Sequence, residues 1–170
     1  MKTKIVILFL LLSAEVYSQN WQILPSIAVS QGRYEDLWFI NIYTGWVVEN
    51  GGEKRILKTT NGGISFFQQY QLTAADSMSF GFRSVAFNNS QLGWAGATSG
   101  LLVKTTNGGT NWYRVDTTIF PPPVGVCDIS VVGDLTMYGS GKYSGPTNLI
   151  KTTDGGQTWL NGGFSPGIGP

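Results

Sequence analysis

A nine-residue motif occurs three times in this 170-residue chain. The copies start 46 and 47 residues apart and share the pattern Lys-Thr-Thr-Asn/Asp-Gly-Gly with an aromatic ninth residue; they are residues 58–66, 104–112 and 151–159. Self-similarity at a spacing of this size is typical of repeat architectures, in which each repeat is one supersecondary unit. The chain is therefore predicted to contain three similar structural units.

The motif itself predicts a tight turn between two strands. Asn-Gly or Asp-Gly between apolar runs is the strongest short hairpin signal, because glycine tolerates a positive φ. The Asn or Asp side chain can accept hydrogen bonds from amides of the turn, and the final aromatic residue begins the next strand. The predicted structural turn residues are Thr59, Asn61, Gly63, Phe66, Thr105, Asn107, Gly109, Trp112, Thr152, Asp154, Gly156 and Trp159.

Short apolar segments before each motif complete the unit. A Gly-Trp pair follows the first apolar run in two units, and Tyr138 stands at the Trp position in the third. With 23 glycines and only 12% charged residues, the chain favours short strands joined by turns over helices. Four strands per unit are typical of one β-propeller blade. The predicted fold is all-β, with three four-stranded antiparallel sheets: blade 1 (33–78), blade 2 (79–120) and blade 3 (121–161).

Three blades are too few to close a ring, since propellers have about four to eight. An incomplete propeller is therefore predicted. Residues 20–24 resemble the strand after each motif, so residues 19–32 are expected to form a strand that closes the ring on a last blade. The chain is then expected to be the N-terminal part of a longer protein, with its missing blades in cis. The alternative is a three-blade protein that completes its ring as a homodimer. Residues 162–170 are predicted as a loop or a point of truncation.

The first 18 residues resemble a secretory signal peptide. Lys2 and Lys4 precede the apolar run 5–12, and small and polar residues follow it. The run is shorter than the about 20 residues that a helix needs to cross a bilayer, so no membrane span is predicted. The mature protein is expected to be secreted, into the periplasm, onto the cell surface or into the medium.

Charge and residue types exclude several functions. Without residues 1–18, the 11 basic and 10 acidic residues of the chain fall to nine of each, so no basic surface favours nucleic acid. The chain has no histidine, which excludes Ser-His-Asp and His-ligated zinc sites within it, and no cofactor or metal is predicted. Cys127 is the single cysteine and is expected to pack in the core, with an intermolecular disulfide as the alternative.

A few charged residues are candidates for the wall of a central channel. Arg33 and Arg83 precede the first strand of their blades, and Asp128 begins a comparable run in the third unit. Glycoside hydrolysis would need two carboxylates that face one bond. The scattered candidates, each expected in a solvated turn or at a strand edge, are Glu35, Asp36, Glu49, Glu53, Asp76, Asp116, Asp128 and Asp134.

The pattern Thr-x-Asn/Asp-x-Gly-x-x-Trp/Phe in each copy resembles the Asp-box of BNR-repeat proteins. Together with the Gly-Trp pairs, residues 33–160 most resemble the β-propeller repeats of the photosystem II stability/assembly factor family, of the exported bacterial type. The resemblance implies that the box is a structural turn at the periphery of each blade, away from the central site.

For function, the resemblance implies an exported, non-catalytic scaffold or binding module for a protein or carbohydrate ligand. Asp-boxes also occur in sialidases and xyloglucan-cleaving glycosidases. The alternative is therefore the N-terminal fragment of a secreted glycoside hydrolase, and a surface or adhesion repeat with a purely structural role is a third interpretation. The absence of a recognisable catalytic set favours the non-catalytic interpretation.

Overall fold

The computed structural model describes residues 23–24, 32–73, 81–98, 100–116, 125–141 and 149–162. The predicted signal peptide lies outside these residues. Of the predicted N-terminal strand only residues 23–24 and Gly32 are described, and of the predicted C-terminal loop only Gly162. None of the described residues belongs to a helix with the length and apolar character needed to cross a membrane.

The described residues form twelve strands and no helix. The strands are β1 (Gly32–Phe39), β2 (Gly45–Gly51), β3 (Arg55–Thr59), β4 (Phe67–Gln71), β5 (Phe82–Phe87), β6 (Gly93–Ala97), β7 (Leu102–Thr105), β8 (Tyr113–Arg114), β9 (Val126–Val132), β10 (Thr136–Gly141), β11 (Leu149–Thr152) and β12 (Leu160–Gly162). Consecutive strands pair into three four-stranded antiparallel sheets, β1–β4, β5–β8 and β9–β12. The predicted all-β fold of three such sheets is confirmed. Strand β1 begins one residue before the predicted limit of blade 1, and β12 ends one residue after that of blade 3.

The first strand of each sheet lies beside the first strand of the next. Strand β5 contacts both β1 and β9, so the three sheets share an inner edge and spread outward from it like the blades of a propeller. The nonapeptide of each repeat connects the third strand to the fourth, at the outer part of each sheet. We call these three connections the nonapeptide turns.

The hydrophobic core consists of two layers, one on each face of the middle sheet. Val85 and Phe87 of β5 pack in the layer shared with the first sheet, whereas Ala86 between them packs in the layer shared with the third. This alternation follows from the two-residue period of a strand. The middle sheet is therefore buried on both sides, and each outer sheet shares one layer with it. Each large apolar side chain in these layers stabilises the fold by about 1.5–3 kcal/mol.

The Gly-Trp pairs have a packing reason. Gly45 and Gly93 lie opposite Phe39 and Phe87 on the neighbouring strand, and each phenyl ring covers its glycine. A Cβ atom would lie 2.6 Å from the Phe39 ring at Gly45 and 2.4 Å from the Phe87 ring at Gly93. The next residue, Trp46 in the first pair, is fully buried and stacks on Phe87 with 3.5 Å between ring centroids. The glycine thus makes room for one aromatic ring and places the next one between the sheets.

Candidate functional site

Each nonapeptide turn is held by one threonine and one Asn or Asp. In the first turn, the buried Thr59 Oγ1 accepts a hydrogen bond from the Gly63 amide at 2.9 Å and donates to Asn61 Oδ1 at 3.0 Å. Asn61 Oδ1 also accepts from the Ser65 amide at 2.9 Å. The same bonds recur around Thr105 and Asn107, and around Thr152 and Asp154. These side chains therefore satisfy the backbone of the turn itself.

The second glycine of the second and third turns packs against the preceding sheet. Gly109 has a φ of 89°, and a Cβ there would lie 2.1 Å from the Gln69 side chain and 3.1 Å from Trp46 Nε1. Gly156 has a φ of 95°, and a Cβ there would lie 2.8 Å from the Trp94 ring. In both cases the aromatic ring belongs to the sheet before the turn. Glycine is thus required here both for the backbone conformation and for the approach of two sheets.

The lysine that opens each of the first two motifs connects its sheet to the turn of the next one. Lys58 Nζ lies 4.8 Å from the Trp46 ring centroid and donates to the Gly108 carbonyl at 2.9 Å. Lys104 Nζ repeats this arrangement one sheet later, 5.0 Å from the Trp94 ring centroid and 2.8 Å from the Gly155 carbonyl oxygen. Burial lowers the pKa of both lysines from the ordinary value. Sequence analysis did not predict this contact, although the recurrence of a lysine at the start of each motif could have indicated it.

The ninth residue of each motif also packs. Trp112 is almost fully buried, with its ring edge-on to Phe87 at 5.9 Å, and Trp159 is edge-on to Trp94 at 6.1 Å. Phe66 is half-buried, and its ring lies 3.7 Å from the position of a Cβ at Gly63. The predicted turn residues thus lie in turns and between sheets.

A different set of side chains projects from the inner strands because each of these strands contains a β-bulge. The pairing skips one residue between Tyr34 and Asp36 in β1 and one between Phe82 and Ser84 in β5, and it also shifts in β9 beside Cys127. The bulged residues are Glu35, Arg83 and Cys127. Bulges redirect a side chain and are over-represented at sheet edges and next to active sites.

Two of the predicted channel residues meet at these bulges. Arg33 Nε donates to Glu35 Oε1, and Arg83 Nη1 of the next sheet lies 3.3 Å from Glu35 Oε2. The Glu35 side chain is mostly buried, while that of Arg33 is 69% exposed. We call these three residues the inner-edge cluster. The sequence named both arginines as channel residues, whereas Glu35 was named only among the scattered candidates for a hydrolytic carboxylate and not as their partner.

The third channel candidate lies elsewhere. Asp128 of β9 is exposed, and its Oδ1 accepts from the Ile129 amide at 2.9 Å. Among the described residues it forms no ion pair with either arginine. Its counterpart in the first sheet, Asp36, accepts from Leu37 in the same way and also from the Val85 amide of the next sheet at 2.9 Å. Asp36 therefore links the first sheet to the second.

The remaining inner carboxylate is paired within the first sheet. Glu49 is fully buried, and its Oε2 accepts from Arg55 Nε at 2.8 Å, while Arg55 Nη1 lies 2.7 Å from Glu53. The hydrogen bond to Glu49 raises the pKa of Arg55. Burial raises the pKa of nearby Tyr34.

The described part of the chain contains no cluster of three or more metal-ligating side chains. Asp76 lies outside the described residues.

Comparison with known proteins decides the family. A family model described as "Photosynthesis system II assembly factor YCF48" matches residues 13–159. The chain belongs to this family. The family recognised from the repeats is thereby confirmed.

Relatives in this family are considerably longer than the chain. This chain is similar to the Photosystem II assembly lipoprotein Ycf48 of Synechococcus sp. (strain CC9902), with 29% identity over 130 residues. The match covers 73% of this chain and 35% of the relative. It is also similar to the chloroplastic Photosystem II stability/assembly factor HCF136 of Arabidopsis thaliana, with 32% identity over 69 residues, 41% of this chain and 16% of the relative. The chain thus spans about a third or less of the length of these relatives.

Solved structures of family members and of GH74 enzymes have the same fold. A structure described as YCF48 bound to D1 peptide matches with a TM-score of 0.61 and 22% identity, covering 81% of this chain and 41% of that chain. A GH74 enzyme from Niastella koreensis matches with a TM-score of 0.57 and 24% identity, covering 75% of this chain and 22% of that chain. At these identities the likeness concerns the fold alone.

Proposed function

We propose that this protein is an exported, non-catalytic propeller segment that binds a polypeptide partner through the inner-edge cluster. The observation that carries the proposal is the meeting of Arg33 and Arg83 from two sheets on Glu35. Arg83 occupies the bulge of its strand and Arg33 lies two residues before the bulge at Glu35, so the two guanidinium groups meet on Glu35 at one inner edge. An exposed arginine beside a second one is suited to carboxylates, which it binds through two parallel hydrogen bonds.

The energetics of the cluster permit exchange of partners. The ion pair between Arg33 and Glu35 is exposed on the arginine side, and such pairs stabilise a protein by at most about 1 kcal/mol. Arg33 can therefore leave Glu35 for a carboxylate of the ligand at small cost. Arg83 is more enclosed and would stay on Glu35 as a fixed second donor. The proposed ligand is accordingly a peptide segment with an acidic side chain or a free C-terminus.

The relatives support a polypeptide ligand. One family structure is described as YCF48 bound to D1 peptide, so at least one protein of this fold and family binds a peptide. Export is proposed on the composition of residues 1–18, and detection of the protein outside the cytoplasm would test it. Retention of the full-length chain in the cytoplasm would contradict this part of the proposal.

A glycoside hydrolase is the second candidate, because a GH74 enzyme has the same fold. The inner carboxylates are less favourable for this function. Glu35 is held by two arginines, Glu49 is buried on Arg55, and Asp36 accepts two backbone amides. General acid–base hydrolysis needs two carboxylates directed at one glycosidic bond. The described residues show no such pair.

Binding of labelled acidic peptides with a free C-terminus, measured by fluorescence anisotropy, tests the proposal. Arg33→Met and Arg83→Met are each expected to weaken binding about tenfold, because each removes one charge-assisted contact. Arg114→Met on β8, away from the inner edge, is the matched control. Binding should also weaken with added salt.

Two results would contradict the proposal. One is peptide binding that survives the loss of both arginines unchanged. The other is turnover of aryl glycosides that disappears when an inner carboxylate is replaced, since this would identify the protein as a hydrolase.

A further inference from the structure

The outward side of the third sheet repeats the side chains by which the first and second sheets hold their neighbours. Lys151 Nζ lies 5.1 Å from the Tyr138 ring centroid, as Lys58 lies over Trp46 and Lys104 over Trp94. In the first two sheets this ammonium group donates to a glycine carbonyl of the next nonapeptide turn. Within the described residues, no carbonyl accepts a hydrogen bond from Lys151.

Two further residues extend this pattern. Asp128 and Asp36 each accept a hydrogen bond from the next amide of their own strand. Asp36 also accepts one from an amide of the following sheet. Among the described residues, no amide of another sheet donates to Asp128 in this way. Leu149 is 44% exposed, whereas Ile56 and Leu102 at the same place in the other sheets are fully buried. We call Asp128, Tyr138, Leu149 and Lys151 the open face.

The first sheet carries the complementary features. Phe39 pairs with Gly45 as Phe87 pairs with Gly93, yet Phe39 is 39% exposed while Phe87 is buried under Trp46. In the same way Leu37 is exposed, whereas its counterpart in the middle sheet is buried. The carbonyl of Gly62 is the counterpart of the two glycine carbonyls that accept from lysine in the other turns. No described lysine donates to it.

We propose that the open face docks the first sheet of a second copy of this chain. In this contact Lys151 donates to the carbonyl of the partner's Gly62, and Tyr138 covers the partner's Phe39. Two such contacts, related by a two-fold axis, join two arcs of three sheets into a ring of six. This number lies within the about four to eight blades of known propellers. The contact continues the arrangement that already joins the sheets within one chain.

The N-terminal segment competes with this contact. Leu24 lies against the first nonapeptide turn, 2.9 Å from the position of a Cβ at Gly63. Gln69 occupies the same place on the second turn, next to Gly109. An incoming sheet needs that place for its own fourth strand, so Leu24 has to move aside when the second copy docks. Loss of the Leu24 side chain should therefore strengthen association.

Sedimentation equilibrium of the purified chain tests the proposal. The expected particle has twice the mass of the chain and dissociates on dilution. Lys151→Met keeps the aliphatic stem but removes the donor, and it should raise the dissociation constant about tenfold to a hundredfold. Lys151→Arg should restore much of the affinity, and Thr153→Ala, exposed beside it, is the control. Tyr138→Trp should lower the dissociation constant, because the other two sheets use Trp here.

The N-terminal arm of the test uses Leu24→Gly, with the fully exposed Ile23→Gly as its control. Leu24→Gly should tighten the dimer and Ile23→Gly should leave it unchanged. A chain that stays monomeric in both forms would overturn the proposal and would favour further blades in cis as the occupant of the open face. A dimer that is insensitive to both Lys151→Met and Tyr138→Trp would also overturn it. Neither result affects the peptide proposal, which depends on Arg33 and Arg83.

Discussion

Replacement of Gly109 by alanine tests whether the nonapeptide turns join the sheets. The residue has a φ of 89°, which costs an alanine about 1–2 kcal/mol of backbone strain. The new Cβ would also lie 2.1 Å from the Gln69 side chain and 3.1 Å from Trp46 Nε1. Both atoms belong to the preceding sheet, so the substitution acts on the contact between sheets as well as on the turn.

The two neighbours differ in how far they can move. Gln69 can rotate away, but it then gives up hydrogen bonds from its amide to the carbonyls of Gly108 and Gly109, a loss of about 0.5–1.5 kcal/mol. Trp46 is fully buried and stacked on Phe87, so it cannot shift without disturbing the core, at a cost of about 1 kcal/mol or more. Together with the strain, Gly109→Ala should lower the free energy of unfolding by about 3–4 kcal/mol.

Gly133 provides the matched control. It also has a positive φ, 67°, but a Cβ there would meet nothing within 4 Å. Gly133→Ala should therefore lower the free energy of unfolding only through backbone strain. The lower conformational entropy of the unfolded alanine chain offsets part of that strain, which leaves a loss of about 1 kcal/mol. Urea titrations followed by tryptophan fluorescence and circular dichroism measure both variants, and coincident transitions support a two-state analysis. Equal losses for Gly109→Ala and Gly133→Ala would refute the argument that the turn packs against the preceding sheet.

Two further predictions concern the side chains of the turns. Thr105→Val removes a fully buried hydroxyl that both accepts and donates a hydrogen bond within its turn. It should lower the free energy of unfolding, measured by urea titration, by about 1–3 kcal/mol. The control, Thr106→Val at the exposed neighbouring position, should change it by less than about 0.5 kcal/mol. Hydrogen bonds from the Thr158 hydroxyl and amide hold the pKa of Asp154 well below its ordinary value of 3.8. The ionised carboxylate therefore stabilises the fold at neutral pH, and this stabilisation is lost as the pH falls below the ordinary value. Urea midpoints measured between about pH 5 and pH 2 should therefore fall further for the wild type than for Asp154→Asn, and parallel curves would show that the turn does not depend on this charge.

Much of the fold could be predicted because the turn chemistry is local. Within each nonapeptide the threonine, the Asn or Asp and the glycines satisfy one another inside nine residues, so their spacing alone indicates the hairpin. The Gly-Trp pairs belong to the same class of signal. The order of strands in each sheet then follows from short connections between consecutive strands.

The candidate site could be predicted only in part. Arg33 and Arg83 were named as channel residues, but their common partner Glu35 was not, because a register shift in one strand decides which side chain projects from it. Asp128 was named with them, yet it takes the place of an aspartate that bonds to the following sheet. A pattern of residue types does not locate a bulge, since the extra residue depends on pairing with the neighbouring strand.

By itself, the sequence determined the repeated unit, its family and the positions of its turns, because these depend on residues close together along the chain. Only the tertiary structure decided which residues of neighbouring units come into contact. These contacts are Lys58 with the Gly108 carbonyl, Trp46 with Gly109, and Arg83 with Glu35. The partners in each pair belong to neighbouring repeats: Lys58 and Gly108 are 50 residues apart, and Trp46 and Gly109 are 63 apart. Their contact exists only once two sheets have packed face to face, and packing against the next repeat is the step that no local pattern encodes.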